Sequence, residues 1–578
     1  MHNRLYNFLQ DNNILAVEQI GFRKKSRTAD HVFSLKTIID KMFKKKKYLY
    51  ACFIDFRKAF DVVNRRALLY KFRKYYGIDG LFFNIVENMY SDVFFSVKLH
   101  DKVAPLFKTS TGVKQGCVLS PTFFSLYIND LVNNFDDTCS PITLKSGKKL
   151  SCLMYADDLV LMSETANGLQ SALNKLTGYC AKWDLDINIE KTKVMIFNKS
   201  GRIIKKYKFL IKDTQIGITD TYKYLGTIFK PSGTFSAAVK HLVNKAKKAI
   251  FSINNIFPQN RLSLTENLKM FDACIKPILL YNSEVWGLEK ILHDRKRIEK
   301  YYMANFLPEN IHIRFIKYIL GLNKSAVNSA VLSETGRFPM TLTVIKSVIR
   351  FWHHIINAPS TSIVKMTYMD GLESNTALTK RIEKLFEVAG FAHVWENQNT
   401  FSVKCLEKAL VDKFKERYVK YWKECLDENS NEFNKKLKAY SKFKTNYELE
   451  NYLLLGIEKR EITTFVKLRI SDSKLMIEQG RHKQIPIEKR LCPLCKLDVE
   501  DEYHFVTQCR NLNNPRTSLF DKITNVIPDF TKFNDIEKYK FLMAPKETDI
   551  SKLCVTEINK MYKLRSLLNI ENSASNQI

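Results

Sequence analysis

In 578 residues, 92 Lys plus Arg stand against 60 Asp plus Glu, a formal charge of +32; this points to a polyanionic partner, because neutralised phosphates supply most non-specific nucleic-acid affinity. No apolar run reaches the roughly 18 residues of a membrane span, and Met1 to Gln10 lack the apolar core of a signal peptide, so a membrane partner is excluded and a soluble, intracellular chain in nucleus or cytoplasm is expected. Twelve cysteines are too few for a disulfide scaffold, and Cys52, Cys117 and Cys152 lie in apolar runs as reduced core residues.

Residues 1–48 end in Lys44-Lys45-Lys46-Lys47, read as a solvated helix end in preference to a nuclear address or a backbone contact. The apolar run Leu49 to Phe56 reads as a buried strand with the carboxylate of Asp55 near its end, followed by Arg57-Lys58-Ala59-Phe60-Asp61. Asp61 precedes Val62 to Tyr70 and is read as a helix N-cap. Gly112-Val113-Lys114-Gln115-Gly116-Cys117-Val118-Leu119-Ser120-Pro121 predicts a glycine loop entering a helix over Phe123 to Leu131, with Pro121 in its first turn. Glycines on both sides of Gln115 would let the backbone approach a base or ribose.

Leu153-Met154-Tyr155-Ala156-Asp157-Asp158-Leu159-Val160-Leu161-Met162 predicts a hairpin of two short strands with adjacent carboxylates at its tip. An isolated Asp-Asp pair there would be turn chemistry. A third carboxylate, Asp55, closing another buried strand changes the reading, because charge at such a position needs a partner or a cation. Three such groups suit a pair of Mg²⁺ ions about 3.5 to 4 Å apart, which stabilise attacking and leaving oxygens in phosphoryl transfer.

Beyond residue 235 the chain reads as helical, with Ala237-Ala238-Val239 and Ala246 to Ile250 on one amphipathic pattern. Val411, Phe414, Tyr418, Tyr421, Trp422 and Cys425 recur at helical steps and are read as core, with cations between them available to a nucleic-acid backbone. Cys492, Cys495, His504 and Cys509 have the spacing C-x2-C-x8-H-x4-C; four closed ligands predict a structural Zn²⁺. The polar end from Glu571 to Ile578 is expected to be disordered.

Taken in order, FIDFRKAFD, GVKQGCVLSP and YADD resemble three blocks of reverse transcriptases, and the subtype they resemble is that of non-LTR (LINE-type) retrotransposons. Gln19-Ile20-Gly21-Phe22-Arg23 with Thr28 and Asp30, Asn188 to Lys193, and Lys223-Tyr224-Leu225-Gly226 resemble three more; weaker similarity continues through Tyr281 to Gly287, Lys467 to Ser471 and Ile477 to Arg481. The resemblance implies an α+β fold: a right-hand polymerase palm with an antiparallel split βαβ sheet, partial fingers, a helical thumb, a helical C-terminal region and a zinc knuckle. The segments expected are 1–48 partial fingers, 49–232 palm and fingers, 233–325 thumb, 326–485 basic helical region, 486–515 knuckle and 516–578 helical tail.

For function it implies an RNA-directed DNA polymerase that joins a dNTP to a primer 3′-hydroxyl on an RNA template, with Mg²⁺ on Asp55, Asp157 and Asp158 and the Phe56 carbonyl as a further ligand. Phe60 would exclude a ribose 2′-hydroxyl, or else is a core aromatic. Gln115 and Gly116 would line the nucleotide, and Arg23 would contact its triphosphate, or else belongs to a solvated basic loop. Lys191 or Lys193 would serve the leaving pyrophosphate. Tyr224, Leu225 and Gly226 would position the primer, or pack beneath the sheet. The knuckle would grip template RNA or target DNA. No segment resembles an endonuclease, and the fingers begin late, so the chain reads as 5′-truncated. The alternatives are an inactive element remnant that binds nucleic acid and an intron-maturase-like protein.

Overall fold

A computed structural model describes residues 1–258, 262–291, 306–398 and 402–575. They divide into two compact units: Met1–His241 with Asn282–Glu289 and Ser347–Val403, and Leu242–Tyr281 with Lys290–Lys346 and Lys404–Ile578. This division departs from the linear order expected from the sequence. Residues 347–403, expected in the basic C-terminal region, belong with residues 1–241, and the expected thumb is shared between the units, with residues 292–305 outside the described residues.

The reason lies in the helix Thr28–Lys44, which is buried from Ala29 to Met42 and therefore needs cover on all sides. The helix Ile363–Glu373 supplies part of it: Lys41 Nζ pairs with Asp370 at 2.9 Å, and Ser34 meets Thr367 at 3.0 Å. The helix ends at Lys44 and Lys45 to Lys47 are exposed, as a solvated end requires.

The first unit is built on a five-stranded mixed sheet. Its centre is the strand Leu49–Ile54, buried along its whole length. Asp158–Ser163 lies antiparallel on one side and pairs outward with Cys152–Tyr155; Lys193–Phe197 lies antiparallel on the other, followed by the parallel Gly217–Ile218. The central run is apolar without alternation because both its faces are covered, in part by Phe53 stacking on Tyr222 at 4.4 Å. Asn282, in the Tyr281 to Gly287 segment, donates to Thr227 Oγ1 at 3.0 Å and so ties that segment to the hairpin Tyr222–Tyr224 and Thr227–Phe229.

The second unit is helical. Phe414, Tyr418, Trp422 and Cys425 of the helix Val403–Leu426 are buried and Val411 and Tyr421 half-buried, a core stripe as read. A charged group lies deeper still. Arg469, with no exposed surface, meets Glu334 through Nε at 3.0 Å and Nη2 at 2.9 Å, and Glu450 at 3.0 Å. Tyr440 and Tyr452 donate to the same Glu334 carboxylate. The final helix runs Thr548–Ser575, so the polar end from Glu571, expected to be disordered, largely continues a helix; 576–578 lie outside the described residues. Ile550, Cys554, Val555, Ile558 and Met561 are all buried on this helix, and that packing anchors it.

Candidate active site

Strand register assembles the carboxylates. Ile54 pairs with Leu159, so the next antiparallel step sets Asp55 beside Asp158, at the end where Tyr155 and Asp158 close the hairpin over Ala156 and Asp157. Asp55 is fixed by its backbone: its N–H donates to Thr192 Oγ1 at 3.2 Å and its carbonyl accepts from the Asn188 N–H at 2.8 Å.

Burial, then the charges of Asp157 and Asp55, push the Asp158 carboxyl up to about 6; burial and the charge of Asp55 also raise that of Asp157. Three mutually repelling carboxylates that still reach solvent are a donor set for a hard divalent cation. Lys191 Nζ stands 3.8 Å from Asp55 Oδ2 on an exposed side chain, whereas Lys193 Nζ lies against Gly217, which separates two lysines that the sequence left equivalent.

The Gln115 loop docks on the segment after Asp55. Val113 N–H donates to the Phe60 carbonyl at 2.9 Å, Gly112 N–H to Val63 at 2.8 Å, and Arg65 Nε to the Gly112 carbonyl at 2.9 Å. Gly112, at φ 84°, is needed because a Cβ would stand 2.7 Å from the Asp61 carbonyl oxygen, so its close approach is to protein, while Gly116 at φ 83° faces open space. Asp61 is not the helix cap expected. The chain turns at Lys58 (φ 51°), the helix starts at Arg65, and Asn64 caps it through Ala67 N–H at 3.0 Å. Asp61 instead accepts from Gln115 Nε2 at 2.8 Å. Phe60 is half-buried, stacked on Phe124 at 4.7 Å, and Phe56 is buried.

The other expected residues diverge. The Arg23 guanidinium donates to the carbonyls of Ala16 and Gln19 at 3.1 and 3.2 Å and lines a cavity of about 280 Å³ with Tyr6 and His354. Tyr224 and Leu225 are buried and Gly226 is half-buried; Tyr224 packs 5.6 Å from Phe53, which is the packing alternative. Tyr222, which sequence reading passed over, is close enough to Asp158 and Asp55 for their charges to raise its hydroxyl pKa further after burial. A tyrosine alternating with Tyr224 on one short strand was the available signal.

His31 braces this region from behind. Buried Nε2 lies 3.0 Å from both the Glu18 and Met154 carbonyls, so the neutral ring donates to both; burial pushes its pKa down to about 4. Unfolded, a histidine titrates near 6.5. Between those values only the unfolded chain binds the proton, so stability is lost as pH falls. We expect the first unit to lose about 2 kcal/mol between pH 7.5 and 5 through this group, and a His31→Gln variant to flatten the pH dependence of its urea midpoint by that amount.

Far along the chain, the ligand atoms of Cys492, Cys495, His504 and Cys509 all lie within 4.8 Å of one another. Cys492 and Cys509 Sγ are 3.8 Å apart and Cys495 Sγ lies 3.4 Å from His504 Nε2. With Zn–S bonds of about 2.3 Å, tetrahedral sulfurs stand about 3.8 Å apart, so the spacing fits zinc. Asp498 is 4.0 Å from the other ring nitrogen of His504.

Comparison with known proteins covers the segment that carries the carboxylates. Residues 1–229 match the family model described as reverse transcriptase (RNA-dependent DNA polymerase). The RNA-directed DNA polymerase from mobile element jockey of Drosophila funebris is 27% identical over 285 residues, 48% of this chain and 30% of the relative. The probable RNA-directed DNA polymerase from transposon BS of Drosophila melanogaster is 26% identical over 50% of this chain and 32% of its own. The Pol polyprotein of the type-1 retrotransposable element R2 of Nasonia vitripennis is 26% identical over 41% of this chain and 24% of its own. The chain thus spans only 24 to 32% of the length of these relatives. A solved telomerase from Candida albicans overlaps 64% of this chain and 58% of its own at 15% identity and TM-score 0.29, too loose an overlay to argue from. Residues 1–229 thus match the reverse transcriptase family, and the relatives aligned with them are polymerases of mobile and retrotransposable elements.

Proposed function

We propose that the chain is an RNA-directed DNA polymerase that extends a DNA primer on an RNA template, with Asp55, Asp157 and Asp158 holding two Mg²⁺ ions. The observation that carries this reading is the register-built cluster of three carboxylates, which repel one another and are matched to a divalent cation. Bound Mg²⁺ would activate the primer 3′-hydroxyl and stabilise the pyrophosphate oxygen that leaves.

The remaining roles belong to side chains around that cluster. Lys191, exposed and 3.8 Å from Asp55, can swing to the leaving pyrophosphate and neutralise its charge. Gln115, its amide held by Asp61, would contact the nucleotide with its other edge, beside Gly116. Phe60 would meet the sugar, its ring steadied by Phe124, and reject a 2′-hydroxyl by contact. Arg23, engaged with two carbonyls, would reach a triphosphate only by leaving them. The primer-positioning role of Tyr224, Leu225 and Gly226 would act through the shape of their hairpin, since the first two side chains are buried. Among the described residues no helix is long and apolar enough to cross a membrane, and the +32 charge supports nucleic acid as partner.

The test is Mg²⁺-dependent extension of a DNA primer on RNA by the purified chain, in parallel with binding of the same duplex across a salt series. Extension supports the polymerase; salt-sensitive binding without extension would turn the reading to a nucleic-acid-binding remnant.

The Cys492, Cys495, His504 and Cys509 cluster is proposed to hold a structural zinc. Metal analysis of purified protein should find a stoichiometric equivalent of zinc, and Cys492→Ser should lose most of it with cooperative melting of residues 486–515, because zinc binding and folding of such knuckles are one equilibrium. Zinc retained after Cys492→Ser would overturn the assignment.

A further inference from the structure

The hairpin that presents Asp157 and Asp158 contains a conformation that does not hold itself. It closes over two residues, and the first of them, Ala156, has φ 54°. In a two-residue hairpin this place is ordinarily taken by glycine, because a Cβ is strained in the left-handed region. Strain of this kind persists only where surrounding contacts over-determine the backbone.

The contacts come from a segment more than a hundred residues upstream. Glu18 to Ile20 runs along the first hairpin strand as an extra edge: Met154 N–H donates to Glu18 at 2.9 Å, Ile20 N–H to Met154 at 3.0 Å, and Gln19 bridges Met154 in parallel register. From this edge the Gln19 side chain, with no exposed surface, reaches the turn itself. Its Oε1 accepts from the N–H of Ala156 at 3.0 Å and from that of Gly21 at 2.9 Å, and its Nε2 donates to the Ala156 carbonyl at 3.2 Å. Two donors on one side and an acceptor on the other fix which way the amide points, so only glutamine satisfies all three groups; glutamate lacks the donor and asparagine the reach. Gly21 completes the seat. A Cβ there would stand 2.2 Å from the Ala156 nitrogen, so the turn lies directly on the bare Gly21 backbone.

We propose that Gln19 is a positioning residue for the metal-binding turn: by gripping both backbone groups of Ala156 from the Gly21 seat, it sets the angle at which Asp157 and Asp158 are presented. The inference rests on the reading of those carboxylates as metal ligands. It explains why glutamine and glycine stand two residues apart in a segment that contributes no metal ligand of its own.

The test compares wild type with Gln19→Met, which keeps side-chain shape and removes every hydrogen bond, and Gly21→Ala, which leaves Gln19 in place and displaces its seat. Asn198→Ala serves as control, since Asn198 is equally buried in this unit and braces the carbonyls of Ile196 and Arg202 at 3.0 and 2.8 Å. Mn²⁺ binding to the metal-free chain is read by electron paramagnetic resonance, and hydrogen exchange is read on the peptide spanning residues 152–160. Both test variants should weaken Mn²⁺ binding about 10-fold or more and speed exchange in that peptide alone, while the control leaves Mn²⁺ affinity unchanged. In primer extension, kcat should fall about 10²-fold with KM for dNTP and affinity for the primer–template within about twofold.

Wild-type Mn²⁺ affinity in Gln19→Met, unaltered exchange of the 152–160 peptide, or loss of protection throughout the first unit would each overturn the positioning role. Should wild type bind Mn²⁺ but extend no primer, the polymerase reading fails while the binding and exchange measurements still decide the clamp; should it bind no Mn²⁺, both fall.

Discussion

Replacing Asp158 by Asn is expected to have opposite effects in two assays. Primer extension should fall by at least about 10³-fold, because on the proposed reading the change would remove an anionic oxygen from the Mg²⁺ ligands that stabilise transition-state charge, a contribution of several kcal/mol. The metal-free fold should instead become more stable. The folded-state carboxyl is pushed up to about 6, above an unfolded value near 3.9, so ionising it opposes folding, and stability of the metal-free chain declines as pH rises through that window. An uncharged, isosteric amide escapes that penalty. Asp157→Asn should behave in the same way with a smaller gain, since its carboxyl is raised by burial and by Asp55. Urea unfolding at pH 8 without Mg²⁺ gives the second readout. An Asn variant that still extends primers would remove these carboxylates from the chemistry, and one with a lower urea midpoint would show that they are paired within the fold.

The second large effect concerns the helical unit. Arg469→Ala should destabilise it by about 3 to 5 kcal/mol, because it leaves the Glu334 carboxylate buried without its cation. Glu334→Gln should cost less, since the amide keeps an acceptor for Arg469 Nε, yet it too leaves a buried charge partly unmatched; Glu450, 3.0 Å from Nη2, limits that loss. The double variant Arg469→Met, Glu334→Leu should recover much of the stability of Arg469→Ala, because removing both charges also removes both desolvation penalties. Hydrogen exchange in the helix Lys459–Arg469 reads these differences. Equal stability of the single and double variants would mean that the pair is not electrostatically coupled. The Lys467 to Ser471 segment, visible in the sequence as a motif without a role, owes its arginine to this site.

The carboxylate strands, the Ala156-Asp157 turn, the glycine loop and the Cys/His spacing were all legible in the chain, because each is a local pattern: apolar runs of strand length, turn residues between them, ligands a few residues apart. The helical stripe ending in Trp422 and Cys425 was legible for the same reason. Where the structure differs from the local pattern, the cause is the opposite. Asp61 stands close before a helix in the chain, yet Val62, Val63 and the capping Asn64 intervene and its carboxylate meets Gln115, 54 residues away. A linear domain order follows from local patterns alone, whereas the helix Thr28–Lys44 is covered by a helix more than 300 residues on.

By itself, then, the sequence determined which residue types were available for metal chemistry and which segments carry them, since burial of an apolar run and the geometry of a turn are local consequences of composition. Tertiary structure alone decided their partners. Register set Asp55 beside Asp158, packing directed Lys191 to Asp55 and Lys193 to Gly217, and the edge pairing of Glu18 to Ile20 brought Gln19 to Ala156. Hydrogen bonds and charges act over a few ångströms, so distance along the chain gives no measure of them until the sheet has closed.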